Sequence, residues 1–337
     1  MTPTPCCPVC RADRLSEIGR RVWSRSEIDA APEYLRHRLR VLFELWCDRD
    51  RFEATWRLCE RCGLVTYWPR PTAEQIDAKY RRLVDVADDP TPPVDSEYNR
   101  RRVATLTKLL TPYLAADAGV LDFGGGDGRL LARFAARGHR CAVVDYVPET
   151  IPGVDRLGDT LDDVPPGTEP FDAAVCSHVL EHVADPVGML RRLRTHLRPG
   201  ATVYVELPME VWKGPPRVRE PVTHVNYFTA APTRRLLIEA GLRPLRVCTE
   251  GLSLPRPGGG WTHAVVLRAI GRVEADDSWL HAARSQADAD PRAARSVRRM
   301  LSPGVSTRLW YASRTPRQSL RALLAKLPKP IRPSDDR

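Results

Sequence analysis

The 337-residue chain has no run approaching the roughly 18 consecutive apolar residues of a membrane-spanning helix. Its first residues, MTPTPCCPVC, lack both the basic flank and the apolar stretch of a secretory signal. Together these absences predict a cytoplasmic protein. No internal repeat is present. Acidic residues are missing between Arg292 and Arg332, where eleven Arg and Lys residues fall, so much of the net charge of +10 sits in the tail. The charge as a sum therefore names neither nucleic acid nor an anionic membrane as partner.

What is present fits a globular chain with 42% hydrophobic and 28% charged residues, long enough for one full-sized domain and a smaller module. The 31 prolines imply several stiff connections. Nine cysteines, at 6, 7, 10, 47, 59, 62, 141, 176 and 248, are an odd number in a large chain. In a reducing compartment, clustered cysteines hold metal more often than they form disulfides.

Residues 1–70 carry two cysteine pairs and end at Trp68-Pro69-Arg70-Pro71, which stops regular structure. A linker with a helix over 72–83 and the proline-rich stretch Asp88 to Pro93 occupies 71–99. Val103, Leu106, Leu110 and Leu114 recur at helical spacing. Short apolar runs then alternate with helical segments: Val120–Phe123, Cys141–Asp145 and Phe171–Cys176 as strands, with a helix from about Arg129. Asp185-Pro186 opens a further helix that runs to a turn at Pro199-Gly200. The strand Ala201–Leu207 follows, then a helix capped by Thr229 and ending at Gly241. Leu245–Thr249 and Ala264–Ile270 form a closing antiparallel pair. Such alternation predicts a parallel sheet covered by helices, over residues 100–270, with 271–337 as a basic tail.

The segment most informative about function is Val120-Leu121-Asp122-Phe123-Gly124-Gly125-Gly126-Asp127-Gly128. A strand that turns through several glycines lets a ligand approach bare backbone. The dinucleotide fingerprint needs glycine at 129, where Arg129 stands. Asp122, two residues ahead of the first glycine, suits an ammonium better than a pyrophosphate. Asp145 ends the second strand, where a carboxylate accepts ribose hydroxyls, and Tyr146 beside it offers a ring for an adenine face. The plain alternative is a glycine turn with ordinary surface aspartates.

This pattern resembles class I S-adenosylmethionine methyltransferases. The likeness rests on Val120–Gly128, Asp145, Asp159-Thr160, Phe171–Ser177, Leu180-Glu181-His182-Val183 and Leu197-Arg198-Pro199-Gly200. It implies a doubly wound, mostly parallel, seven-stranded α/β sheet and S-adenosylmethionine as cofactor. The implied cofactor-binding residues are Asp122, Gly124, Gly126, Gly128, Asp145, Tyr146, Asp159, Thr160, Ser177 and His178. Among them Gly124 and Gly126 line the methionine part, Asp145 holds the ribose, Asp159 meets the adenine amine, and Ser177 faces the cofactor from its strand end.

His178-Val179-Leu180-Glu181-His182 also spells the H-x-x-E-H signature of a zinc peptidase. It follows a strand end and lacks an evident third ligand, so the expectation is that His178 and His182 line the substrate mouth, or form a polar pair at the Asp185 helix.

Cys7-Pro8-Val9-Cys10 and Cys59-Glu60-Arg61-Cys62 are two C-x-x-C knuckles whose four thiolates suit a closed tetrahedral zinc site. Cys6 is an alternative to Cys7, and buried free thiols or a redox pair are the other readings. A closed zinc site holds a fold together and takes no part in chemistry. Two such pairs ahead of a methyltransferase resemble bacterial sugar methyltransferases, including deoxysugar C-methyltransferases. Those continue into a further C-terminal domain, where this chain has only its basic tail.

An oxygen or carbon acceptor must lose a proton during methyl transfer. In similar enzymes a histidine in a segment like Thr223-His224-Val225-Asn226-Tyr227 faces the acceptor, which makes His224 the first candidate base. Tyr227 is expected to line the substrate site and Tyr80 and Tyr98 to help close it. The family often has an acid just before this histidine, where Thr223 stands here.

In the tail, Leu320, Leu323, Leu324 and Leu327 lie on one helical face, with Arg317, Arg321 and Lys326 outside it. That basic amphipathic helix packs on its own domain, docks on a partner or rests peripherally on an anionic membrane. The leading expectation is a small-molecule methyltransferase acting on oxygen or carbon of a sugar, nucleotide-linked sugar or natural-product intermediate, with no specific nucleic acid partner. A zinc-containing RNA methyltransferase and a non-enzymatic cofactor-binding scaffold are the alternatives.

Overall fold

The computed structural model describes residues 5–84, 97–211, 221–255, 261–290 and 292–301. The proline stretch Asp88 to Pro93, the amphipathic segment Arg317 to Leu327 and the side chain of Tyr98 lie outside the described residues.

Two sheets organise the molecule. The strands in chain order are β1 Leu15–Ser24, β2 Arg51–Cys59, β3 Val65–Trp68, β4 Gly119–Phe123, β5 Arg140–Val144, β6 Val154–Gly158, β7 Phe171–Ser177, β8 Leu197–Pro208, β9 Asn226–Tyr227, β10 Leu242–Pro255 and β11 Trp261–Val273. The α-helices are α1 Glu27–Ala30, α2 Glu33–Val41, α3 Ala73–Val84, α4 Glu97–Leu110, α5 Ala132–Ala135, α6 Pro186–Arg194, α7 Ala230–Glu239, α8 Leu280–Asp288 and α9 Arg292–Leu301.

The larger sheet has seven strands in the order β10-β11-β8-β7-β4-β5-β6. β4, β5, β6, β7 and β8 pair in parallel, and β11 runs antiparallel between β8 and β10. This is a doubly wound, mostly parallel α/β sheet with a reversed hairpin at one edge. The period of two along each strand explains why both faces need helices. Val120, Val143, Ala173 and Val175 pack with Leu106, Leu110 and Phe134 on one face, while Leu121, Ala142, Val144, Ala174 and Cys176 join the core on the other.

The Asp185 side chain caps α6 by accepting the Gly188 N–H at 3.0 Å, with Pro186 in the first turn. Two local expectations change. The expected turn at Pro199-Gly200 lies inside β8: Leu197 already pairs with Phe171, and the register slips before Ala173 meets Thr202. Gly200, at φ +85°, lets the strand absorb the extra residues as a bulge. Thr229 stands at the start of α7, but its hydroxyl makes no cap; its carbonyl instead accepts from Thr233.

The smaller sheet, β1-β2-β3-β9, takes three strands from the first 70 residues and its fourth from Asn226–Tyr227. A strand of the second half of the chain is thus built into the N-terminal sheet. The basic segment after residue 271 continues the folded body through α9. That helix buries Ala293, Ala294, Val297 and Leu301, Arg298 pairs with Glu60, and Arg61 pairs with Asp288.

Candidate active site

The carboxyl ends of β4, β5 and β7 open on a cavity of about 290 Å³. β4 delivers the chain to a glycine turn in which Gly124, Gly126 and Gly128 have φ of +70°, +60° and +78°. That left-handed backbone is where glycine is favoured over other residues. The turn is also crowded from below, since a Cβ on Gly125 would stand 2.2 Å from the Asp122 carboxyl carbon.

Of the residues expected to bind cofactor, Gly124, Asp145, Tyr146, Asp159, Thr160 and His178 line the cavity. Asp145 accepts the Gly126 N–H at 2.8 Å and the Val147 N–H at 3.0 Å, which ties the second strand end to the turn. Asp159 pairs with Arg156, and Thr160 donates its N–H and hydroxyl to Asp163. The Tyr146 ring stacks on Tyr80, with centroids 6.2 Å apart and planes 10° from parallel. Tyr80 reaches the cavity from α3, together with Ile76 and Asp77, so the segment between the N-terminal pairs and the main sheet supplies one wall.

Asp122 and Ser177 stand elsewhere. Asp122 is fully buried beneath the turn, neither oxygen accepts a hydrogen bond among the described residues, and burial pushes its carboxyl up to about 7. Ser177 accepts from Arg102 at 2.8 Å and lies 3.2 Å from Glu206. It therefore belongs to a buried network rather than to the cavity wall. Glu206 is the hub of that network, taking Arg102 Nε at 3.1 Å, Arg268 Nε at 2.8 Å and the Tyr204 hydroxyl at 2.8 Å. Burial opposes its charge, but these cations and His178 hold the carboxyl well below its usual range. Sequence reasoning missed this network because its members come from α4, β7, β8 and β11, with no local spacing to betray them.

His178 takes a left-handed φ of +58°, and the segment to Val183 is a series of turns, not a helix. The two histidines of the H-x-x-E-H string therefore share no helix face. Burial lowers the affinity of His178 for a proton, but Glu181 and Glu206 outweigh it and raise the group to about 9. His182 points the other way: burial drives it down to about 3.

His182 and His224 meet edge to face, with centroids 4.8 Å apart. The contact is built by backbone: Val225 and Asn226 donate their N–H groups to the Glu181 carbonyl at 2.8 and 3.1 Å, and the Asn226 side chain donates to Leu180 and Val183 carbonyls. His182 Nδ1 lies 2.6 Å from the Thr223 carbonyl and His224 Nδ1 lies 2.7 Å from a Glu210 carboxylate oxygen. Both acceptors require the proton on Nδ1, which leaves the lone pair on Nε2. The orienting acid expected just before His224, and lacking at Thr223, is thus supplied by Glu210, 14 residues upstream in sequence. Tyr227 is buried and donates its hydroxyl to the His224 carbonyl at 3.1 Å, so it positions that histidine. Tyr80 touches His182 edge-on at 6.3 Å, completing a line of rings from the cavity to His224.

The four cysteines expected to bind metal converge. Cys7 and Cys62 sulfurs are 3.6 Å apart, Cys10 and Cys59 sulfurs 3.5 Å, and all four lie within 4.8 Å of one another in buried positions. A tetrahedral ion with bonds of about 2.3 Å separates its sulfurs by roughly 3.8 Å, so the cage fits such an ion. The four thiols act on one another: hydrogen bonds from Cys10, Cys62 and Cys7 push the Cys59 thiol far down, while Cys7 and Cys62 are pushed well up by theirs. Cys6 and Cys47 stay outside the group.

Residues 96–247, the span of the glycine turn, the cavity and His224, match the model of a family described as a methyltransferase domain. Over that span the chain is similar to a methyltransferase domain. The ubiquinone biosynthesis O-methyltransferase of Xanthomonas campestris pv. campestris is 29% identical over 130 residues, covering 33% of this chain and 54% of that protein. Its counterpart in Xylella fastidiosa is 30% identical over 128 residues, covering 34% and 47%. The chain thus spans about half the length of the curated relatives it matches. Among solved structures, the Burkholderia thailandensis 1,6-didemethyltoxoflavin-N1-methyltransferase, with bound 1,6-didemethyltoxoflavin and S-adenosylhomocysteine, is 21% identical. That likeness covers 65% of this chain and 96% of the other at a TM-score of 0.46.

Proposed function

We propose that the protein transfers a methyl group from S-adenosylmethionine to an oxygen or carbon of a small molecule, with a sugar or nucleotide-linked sugar as the leading acceptor class. The observation that carries this reading is the pairing of His224 with Glu210 at the end of a line of aromatic rings that starts in the cofactor cavity. The glycine turn and Asp145 take the methionine and ribose parts of the cofactor. Tyr146 and Tyr80 flank the adenosine, and their rings favour the sulfonium charge while keeping water from it.

Methyl transfer is an in-line displacement: the acceptor atom attacks the methyl carbon as the carbon–sulfur bond breaks, leaving its electron pair on sulfur. The acceptor proton leaves at the same time, and His224 Nε2, fixed as a lone pair by Glu210, receives it. Relatives named as O-methyltransferases favour an oxygen acceptor. The Cys7, Cys10, Cys59 and Cys62 cage holds a structural zinc, because four sulfurs leave no open coordination position.

The test is titration calorimetry with S-adenosylmethionine and NAD, followed by transfer of labelled methyl to a panel of nucleotide-linked sugars and related hydroxylated metabolites. Micromolar binding of the sulfonium cofactor, lost in Asp145→Ala, and label on a small-molecule acceptor support the reading. Binding of NAD instead would overturn it.

A further inference from the structure

The H-x-x-E-H string is no helical metal motif, but its last two residues meet a third partner that sequence spacing hides. A Glu181 carboxylate oxygen and one imidazole nitrogen each of His182 and His224 lie within 4.8 Å of one another. We propose that these three side chains bind a divalent cation of the borderline class (Mn²⁺, Fe²⁺, Co²⁺ or Zn²⁺) at the acceptor site, separate from the cysteine cage.

Four observations support the site. The donor set, two imidazoles and one carboxylate, suits first-row divalent metals and leaves coordination positions for a substrate. Each histidine has its Nδ1 proton directed onto a fixed acceptor, the Thr223 carbonyl or the Glu210 carboxylate. This is how metal-ligating imidazoles are held, with the lone pair on Nε2. Glu181 is 1% exposed, and neither of its oxygens accepts a hydrogen bond among the described residues. A buried carboxylate in such a place costs several kcal/mol unless a cation faces it, and the His178 imidazole, 3.2 Å away, supplies part of that charge. The backbone bonds from Val225 and Asn226 to the Glu181 carbonyl hold the two segments together, so the site is preformed.

Two cationic groups stand nearby: His178, and the buried Lys79, whose charge reaches His182. His178 Nδ1 is 3.2 Å from Glu181, but its other nitrogen is 3.6 Å from Glu206, so one imidazole is shared by two carboxylates. Arg102 and Arg268 are committed to Glu206. Bringing three ligands from 4.8 Å to the roughly 3–3.5 Å separations around a metal with bonds of about 2.1 Å asks for small side-chain shifts.

The inference rests on the proposed methyl transfer for its chemistry and reassigns His224 from proton acceptor to metal ligand. A cation here binds two neighbouring oxygens of the acceptor and lowers the pKa of the one to be methylated, whose proton passes to solvent. His224 then holds the cation instead of taking the proton. The acceptor oxygen still attacks the methyl carbon, and the carbon–sulfur pair still goes to sulfur. The substrate class narrows to acceptors with vicinal oxygens, such as a diol or a hydroxy ketone.

The experiment uses the full chain with its cysteine cage filled with zinc. Mn²⁺ is titrated and free ion followed by electron paramagnetic resonance, with S-adenosylhomocysteine binding measured in parallel by calorimetry. One further equivalent of Mn²⁺ is expected, its affinity falling at least tenfold in Glu181→Gln and in His224→Gln, and about tenfold in Glu210→Gln. His224→Gln, at a partly exposed position, guards against a folding defect at Glu181, and unchanged melting of each variant is checked. Failure to bind the extra Mn²⁺, or equal binding by all variants, overturns the metal site. S-adenosylhomocysteine binding without Mn²⁺ binding overturns the metal alone; Mn²⁺ binding without S-adenosylhomocysteine binding supports the site and overturns the methyltransferase reading.

Discussion

His224 donates through Nδ1 to Glu210 across 2.7 Å, and that bond sets which nitrogen of the ring faces the reaction. Removing it lets the imidazole adopt either tautomer and rotate. Glu210→Gln should lower kcat by roughly tenfold to a hundredfold while KM for S-adenosylmethionine stays the same. Steady-state kinetics with both substrates varied checks the split. A proportionate rise in the cofactor KM would show that Glu210 serves the cofactor cavity instead.

Asp122 makes the stability of the cofactor-free protein pH-dependent. Its carboxyl is raised from an ordinary 3.8 to about 7 because it is buried. A raised acid prefers to be neutral in the fold, so the penalty is absent below about pH 4, grows as pH rises and is complete above about pH 7. Asp122→Asn should remove a loss on the order of a few kcal/mol between pH 4.5 and 8, read from urea midpoints of variant and parent. The cationic methionine end of S-adenosylmethionine favours the ionised form, so cofactor affinity should rise toward pH 7 and then level. In Asp122→Asn that rise should vanish.

The cysteine cage should govern more than the first 70 residues. Gly63, beside the second knuckle, sits so close to α9 that a Cβ there would lie 2.9 Å from the Ala293 carbonyl oxygen. Arg298 of α9 pairs with Glu60 of the same knuckle, and Arg61 pairs with Asp288 at the end of α8. One zinc per chain should be released by a thiol reagent. Cys59→Ser should lower the melting temperature by many degrees, since structural zinc contributes folding free energy directly. Hydrogen exchange should show loss of protection in α9 as well as in β2 and β3. Protection lost in the knuckles alone would refute the coupling.

The parts of the site visible in sequence were those written locally. The strand–glycine–helix turn, the acid ending β5 and the two knuckles each declare themselves within a few residues, because backbone geometry and metal ligation fix short spacings. The parallel sheet covered by helices and the closing antiparallel pair follow from the pattern of apolar runs, and the count of seven strands from family likeness. Glu210 could not be matched to His224, because 14 residues separate them and no local spacing links the two. The hub at Glu206 was hidden for the same reason, with partners 104, 29 and 62 residues away at Arg102, Ser177 and Arg268. Ser177, which the likeness has facing the cofactor from its strand end, ends β7 and hydrogen-bonds Arg102 and Glu206.

Two glycines of one turn separate folding from binding. A methyl on Gly124 would lie 2.4 Å from a Val179 methyl at φ +70°, so Gly124→Ala should cost packing as well as backbone strain. A methyl on Gly126 meets nothing within 4 Å, at φ +60°. Gly126→Ala should therefore cost only the strain of a left-handed alanine, about 1–2 kcal/mol, and lower the melting temperature by a few degrees. If the cofactor lies against this turn, the same methyl should weaken S-adenosylmethionine binding at least tenfold. Calorimetry and thermal melts on the two variants give the comparison. A Gly126→Ala protein that melts slightly early but binds the cofactor as the parent does would place the methionine moiety away from the glycine turn.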